Sequence, residues 1–190
     1  MKKIIFQSWL LVFGLFLIGC SDGGDIAIDL NGSNTVVKIS DLNLATGVGY
    51  TLDTPIGELT DLSSGSINVA IGAPKNGERQ AFVLRNNNGN PVLVKLRSSF
   101  DADVSLGWES TALFFVLNHP DLGLLSFTDD QLKAVMKLVV DSAKFSDVKN
   151  SLINEYTNGS TCILKYACST YATYLASELI DGLNLSGIEK

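Results

Sequence analysis

Between Phe100 and Trp108 the spacing of the apolar residues changes, and this divides the chain. Before it, apolar and polar residues alternate as on half-buried strands; after it, apolar residues recur at intervals of three and four, as on one helix face. Strand signals without intervening helices, followed by helices alone, point to segregated layers. The predicted fold is therefore α+β. An N-terminal antiparallel β sheet or small β-sandwich covers 35–105, and a C-terminal bundle of about four helices covers 106–190.

The strand half carries its own punctuation. Ile26–Leu30 and Thr35–Ile39 flank Asn31-Gly32, a favoured two-residue turn. Residues 66–72 alternate so that Ile67, Val69 and Ile71 share a face. Ala81–Arg85 and Val92–Leu96 enclose Asn86-Asn87-Asn88-Gly89-Asn90-Pro91, which predicts a hairpin because Asn tolerates and Gly freely supplies left-handed backbone angles.

In the helical half, Trp108–Leu117 is a nearly continuous apolar run, too rich for a surface helix. It reads as a short buried helix beginning near Ser105 and ending before Pro120, with a strand as the competing reading. Thr128-Asp129-Asp130-Gln131 has the form of a capping box, its two acids on the positive end of the helix dipole. Leu132, Val135, Met136, Val139 and Val140 follow at helical spacing. Val148, Leu152, Ile153 and Tyr156 repeat the stripe after a break near Lys144–Asp147. Tyr171, Tyr174, Leu175 and Leu179 mark a last helix ended by Gly182.

Composition narrows the function. With 46% apolar residues and only 4 Pro beside 17 Gly, the 190-residue chain is neither disordered nor collagen-like. A formal charge of −6 argues against nucleic acid as a partner, since phosphate binding needs clustered Lys and Arg. One His and three Cys leave little for a transition-metal site.

The first twenty residues, MKKIIFQSWLLVFGLFLIGC, have the order of a secretory signal: basic Lys2 and Lys3, an apolar stretch over 9–18 interrupted by Gly14, then small Gly19 before Cys20. Leu17-Ile18-Gly19-Cys20 resembles the lipobox of bacterial lipoproteins. That resemblance implies a signal peptide over 1–19, cleavage before Cys20, lipidation of Cys20, and a membrane partner through the anchor. An ordinary cleaved signal or an uncleaved anchor is the alternative. Two or three acyl chains make such anchoring stable, at about 0.8 kcal/mol per buried CH₂. Ser21 in place of Asp implies the outer membrane by likeness to enteric members of the family. Residues 20–34 then form a lipidated tether and the first residues of the body, with Ser21-Asp22-Gly23-Gly24-Asp25 as the flexible part. Loss of Lys2 and Lys3 with the signal leaves 12 basic against 20 acidic side chains, a net −8.

With Cys20 committed to lipid, Cys162 and Cys168 remain as an even pair in an oxidising compartment, which predicts a disulfide between them. Six residues along one helix separate Cα atoms by about 10 Å. A disulfide spans about 7 Å at most, so the chain between the two must leave the helix, giving a stapled α-hairpin. The C-x₅-C spacing is not that of thiol oxidoreductases.

Catalytic signatures are scarce. His119, the sole His, precedes Pro120 at a helix end and reads as a capping or surface residue, with no G-x-S-x-G motif to supply a nucleophile. Asp101 and Asp103 could join a calcium site, although no D-x-D-x-D-G loop is present. Tyr166, Tyr171 and Tyr174 could form an exposed aromatic strip, but packing with buried rings and wet hydroxyls is the commoner arrangement. No cofactor and no metal is expected.

The short strands over 35–100, with Phe82-Val83-Leu84 and Asn88-Gly89-Asn90-Pro91-Val92, are similar to transthyretin-like or carboxypeptidase-regulatory-like β modules of bacterial surface proteins. Glu109–Leu113 is similar to a segment following such modules in surface lipoproteins. These resemblances imply display or interaction and supply no catalytic residues. The expected function is a non-catalytic binding or scaffolding role in a Gram-negative envelope, the body lying in the periplasm or at the cell surface, with an envelope protein as a possible partner. The rivals are the N-terminal module of a larger secreted hydrolase and a calcium-binding surface module.

Overall fold

The computed structural model describes residues 34–42, 49–62, 65–122, 127–186 and 188. The expected signal peptide, Cys20, the expected tether and the strand and turn expected over 26–32 lie outside them.

Among the described residues, seven strands precede four helices: β1 Thr35–Ile39, β2 Thr51–Thr54, β3 Gly57–Leu59, β4 Ser66–Val69, β5 Gln80–Arg85, β6 Pro91–Arg97, β7 Val104–Leu106, α1 Trp108–Leu117, α2 Asp129–Asp141, α3 Phe145–Thr157 and α4 Thr170–Asp181. The fold is α+β, as the change of period predicts. The strands form a three-stranded sheet, β4-β1-β7, and a four-stranded sheet, β3-β2-β5-β6. Every pairing is antiparallel except β1 with β7, which is parallel, Val37 facing Val104. A parallel partner must return from a distant crossover; here the whole four-stranded sheet lies between β1 and β7 in sequence. This also corrects the expected helix start near Ser105. That residue is the centre of β7, and the helix opens after Gly107.

The β5–β6 hairpin follows from its turn. Asn86 Oδ1 accepts from the N–H groups of Asn88 and Asn90, both at 3.0 Å, and Gly89 takes a φ of +75°. On β6, Val94 receives hydroxyls from α1: Thr111 Oγ1 accepts its N–H at 3.0 Å and Ser110 Oγ donates to its carbonyl at 3.1 Å. Helix and sheet edge thus satisfy each other. At the start of α1, Asp41 accepts the Trp108 N–H at 2.9 Å, adopting a φ of +65° to do so.

Arg97, at the end of β6, is 3% exposed and joins the sheets. Nη1 donates to Thr35 Oγ1 at 2.6 Å and the Gly72 carbonyl at 3.1 Å. Nη2 reaches the Ala102 carbonyl at 2.8 Å and Nε the Asp101 carbonyl at 3.1 Å. Burial lowers its pKa, partly offset by Asp101 and Asp103. A single apolar cluster then runs through both halves, from Val37, Phe82 and Leu84 to Phe115, Leu152 and Leu179.

The capping box at α2 forms as its residues require: Thr128 Oγ1 accepts from Gln131 N at 3.3 Å, and Gln131 Oε1 accepts from Thr128 N at 2.8 Å. The break before α3 falls at Ser142–Lys144, earlier than expected, because Phe145 already belongs to the helix and is buried.

Candidate functional site

The α3–α4 connection is set by the cysteines. Cys162 and Cys168 form a disulfide with Cα atoms 6.0 Å apart, in non-helical chain between Thr157 and Thr170. Inside this loop Ser169 is buried; its hydroxyl reaches the Ile163 carbonyl at 2.7 Å and the Glu155 carboxylate. Thr173 Oγ1 reaches the Tyr166 and Ser169 carbonyls at 3.0 and 2.8 Å. The first turn of α4 is therefore tied to the stapled loop at several points.

On that base α4 turns its tyrosines outward. Its buried residues are Ala172, Leu175, Ala176, Leu179 and Ile180, while Tyr171 and Tyr174 are 63% and 55% exposed. Packing of all three tyrosines is thus the wrong reading for two of them. The alanines lie on the buried side of the helix with the leucines, and the bulky rings lie away from it. Tyr166 does pack: its ring lies 4.7 Å from that of Phe115, and its hydroxyl, far from being wet, donates to the Phe115 carbonyl at 2.8 Å. Burial raises its pKa above the ordinary tyrosine range.

Tyr171, Tyr174, Glu178 and Asp181 stand at i, i+3, i+7 and i+10, one stripe about 15 Å long along the helix. Tyr174 Oη donates to Glu178 Oε1 at 2.5 Å, and Lys144 Nζ donates to Glu178 Oε2 at 2.9 Å. The tyrosine hydroxyl first, then the ammonium, hold the Glu178 carboxyl below its usual range; the same carboxylate raises the Tyr174 phenol. Glu178 thereby fixes the Tyr174 ring and leaves its face open. Such rigid, amphipathic rings are suited to contact with a partner at low entropic cost.

His119 is 6% exposed, which corrects its reading as a surface residue. Its ring packs edge-on against Tyr166 at 5.3 Å; Nε2 lies 3.1 Å from Ser177 Oγ and Nδ1 3.2 Å from Asp121 Oδ2. The order Ser–His–Asp invites a nucleophile reading. However, Ser177 lies within α4, where the N–H groups of residues 177 and 178 are committed to the helix ladder and cannot stabilise an oxyanion. The Asp121 N–H also approaches Nδ1 at 3.4 Å, so the ring is tied to the turn after α1 by backbone as well as by side chain. The array joins the end of α1 to α4.

Asp101 and Asp103 are engaged by the protein. Asp101 pairs with Lys95 at 3.1 Å and accepts the Ser98 N–H at 2.8 Å, and Asp103 accepts the Val36 N–H at 3.3 Å. Among the described residues no three His, Cys, Asp or Glu gather as metal ligands. Asp129 does more than complement a helix dipole. It is buried, paired with Arg79, and accepts from the Ser99 hydroxyl and, at 3.2 Å, from the Gly77 N–H, so it docks α2 onto the strand half. Neither its role nor that of Arg97 carries a local sequence signal, since the partners lie far along the chain.

Set beside protein-family models, curated proteins and solved structures, the chain matches none of them.

Proposed function

We propose that this chain is an outer-membrane lipoprotein, anchored through acyl chains on Cys20, whose acidic body has a non-catalytic binding or scaffolding role in the envelope. The observation that carries the binding role is the outward face of α4, where two exposed tyrosines stand on a helix whose start is tied to a disulfide loop. The signal-like order of residues 1–20 supports the anchor, and the Cys162–Cys168 bond suits an oxidising compartment. A net −8 body on a lipid tether also resists collapse onto an anionic bilayer, leaving its faces available.

The test places a photo-crosslinking residue at Tyr171 or, as a control, at exposed Asn68 on β4, in cells expressing the full chain. The expected result is a discrete envelope adduct from position 171 and none from 68, dependent on Cys20. Adducts from neither position, or equally from both, would contradict the reading.

A further inference from the structure

The stripe on α4 is half aromatic and half anionic. Tyr171 and Tyr174 lead into Glu178 and Asp181, and the helix Thr170–Asp181 contains no Lys or Arg. Tyrosine faces attract cations through the ring quadrupole, and carboxylates one turn on attract them by charge. No cation of this chain lies over either ring among the described residues; the one such contact described is Lys133 near Phe100. One cation does reach the stripe, Lys144 from the start of α3, and it seats on Glu178 at 2.9 Å. That ammonium shows which kind of group the stripe accepts. Asp181 is exposed and makes no ion pair among those described.

We propose that this stripe docks a cationic protein segment, with Arg or Lys side chains lying over Tyr171 and Tyr174 and pairing with Asp181. The proposal rests on the binding role above and narrows it to a basic polypeptide. Charge complementarity favours this occupant, since the body carries net −8, helix Thr170–Asp181 supplies no positive charge of its own, and Asp181 is left without an ion pair among those described. Anionic glycans and lipid headgroups would meet repulsion at the same place. Arginine suits the stripe better than lysine because its planar guanidinium can stack on a ring while bonding a carboxylate.

The experiment titrates the full lipidated protein, in neutral detergent micelles, with a peptide of alternating Arg and Gly. The comparison ligands are an equally long Gln-Gly peptide and a neutral N-acetylglucosamine oligomer. The Arg peptide is expected to bind at least about tenfold more tightly than either. Tyr171→Ala with Tyr174→Ala should weaken it about tenfold, the size of two exposed cation–π contacts. Asp181→Asn should weaken it several-fold, whereas Glu58→Gln, the same change of charge on β3, should leave it unaltered. Because these side chains are exposed, circular dichroism should show the variants folded. Equal loss from Glu58→Gln and Asp181→Asn, or indifference to the tyrosines, would reduce the effect to net charge and overturn the proposal. Preference for the sugar or the neutral peptide would overturn it too. A crosslinked partner at position 171 without Arg-peptide binding would sink this inference alone; absence of both would sink the binding role as well.

Discussion

Replacing Asp129 with Asn removes one negative charge from a buried joint and leaves its shape nearly intact. The carboxylate holds Arg79 on Oδ1, and the Ser99 hydroxyl and Gly77 N–H on Oδ2, so α2 is fastened to the strand half at one residue. Hydrogen bonds to a charged group contribute about 1.5–3 kcal/mol each. Asn keeps an acceptor oxygen, and Arg79, 16% exposed, can turn partly to water, so the expected net loss is about 2–3 kcal/mol. For a chain of this size that is a fall in melting temperature of roughly 5–10 °C. Urea unfolding followed by Trp108 emission reads it directly: the indole is 6% exposed, and the other Trp, Trp9, lies in the segment proposed as a cleaved signal.

The same joint predicts a pH dependence with a definite sign. The Ser99 hydroxyl, then the Gly77 N–H and Arg79, hold the Asp129 carboxyl below its ordinary value, against the opposing effect of burial. A depressed folded-state pKa gives stability that is complete above the unfolded carboxyl's value of about 3.9 and is lost as pH falls through the folded one. The gap between native chain and Asp129→Asn should therefore be constant from neutral pH to about pH 5 and close in stronger acid. A variant as stable as the native chain at pH 7, or a gap that widens in acid, would refute the reasoning.

Three further outcomes are expected. Arg97→Met should cost about 4 kcal/mol by leaving the Gly72, Ala102 and Asp101 carbonyls unpaired, and Arg97→Lys about half that, both read by denaturant midpoint; equal losses would count against the guanidinium fork. Gly107→Ala would place a Cβ 2.5 Å from Ser40 Oγ and 2.6 Å from Asp41 Oδ2, displacing the carboxylate that caps α1; about 1–2 kcal/mol and a shift in Trp108 emission should follow. Cys162→Ser with Cys168→Ser should lower stability by about 2 kcal/mol, the entropy of so short a closed loop, and the native protein should take up no thiol label at these positions without reductant.

What the sequence disclosed was local. The Asn86–Pro91 turn, the Thr128–Gln131 box and a short buried helix ending before Pro120, though not its start, announce themselves within a few residues, because turn chemistry, capping and apolar runs act over that range. The parallel partner of β1 was hidden, since β7 is three residues long and its pairing spans 67 residues, Val37 to Val104. The β2–β3 hairpin was legible in principle from Pro55 after β2 and Gly57, which opens β3 with a φ of +139°. Period alone also misjudged α4: Tyr and Leu at helical spacing looked like one buried face, whereas Ala172 and Ala176 join the leucines inside and the tyrosines face out. Small residues carry little hydrophobic signal yet decide how closely helices approach. Arg97 and Asp129 were invisible for a different reason, because a buried charge is recognised only by its partners.

The anchor is tested most directly by the mass of the N-terminal peptide from protein extracted from the membrane fraction. A peptide beginning at Cys20 and carrying acyl chains is the result expected. A peptide beginning at Met1, unmodified and recovered from the soluble fraction, would contradict the account and remove the oxidised, envelope-facing body that depends on it.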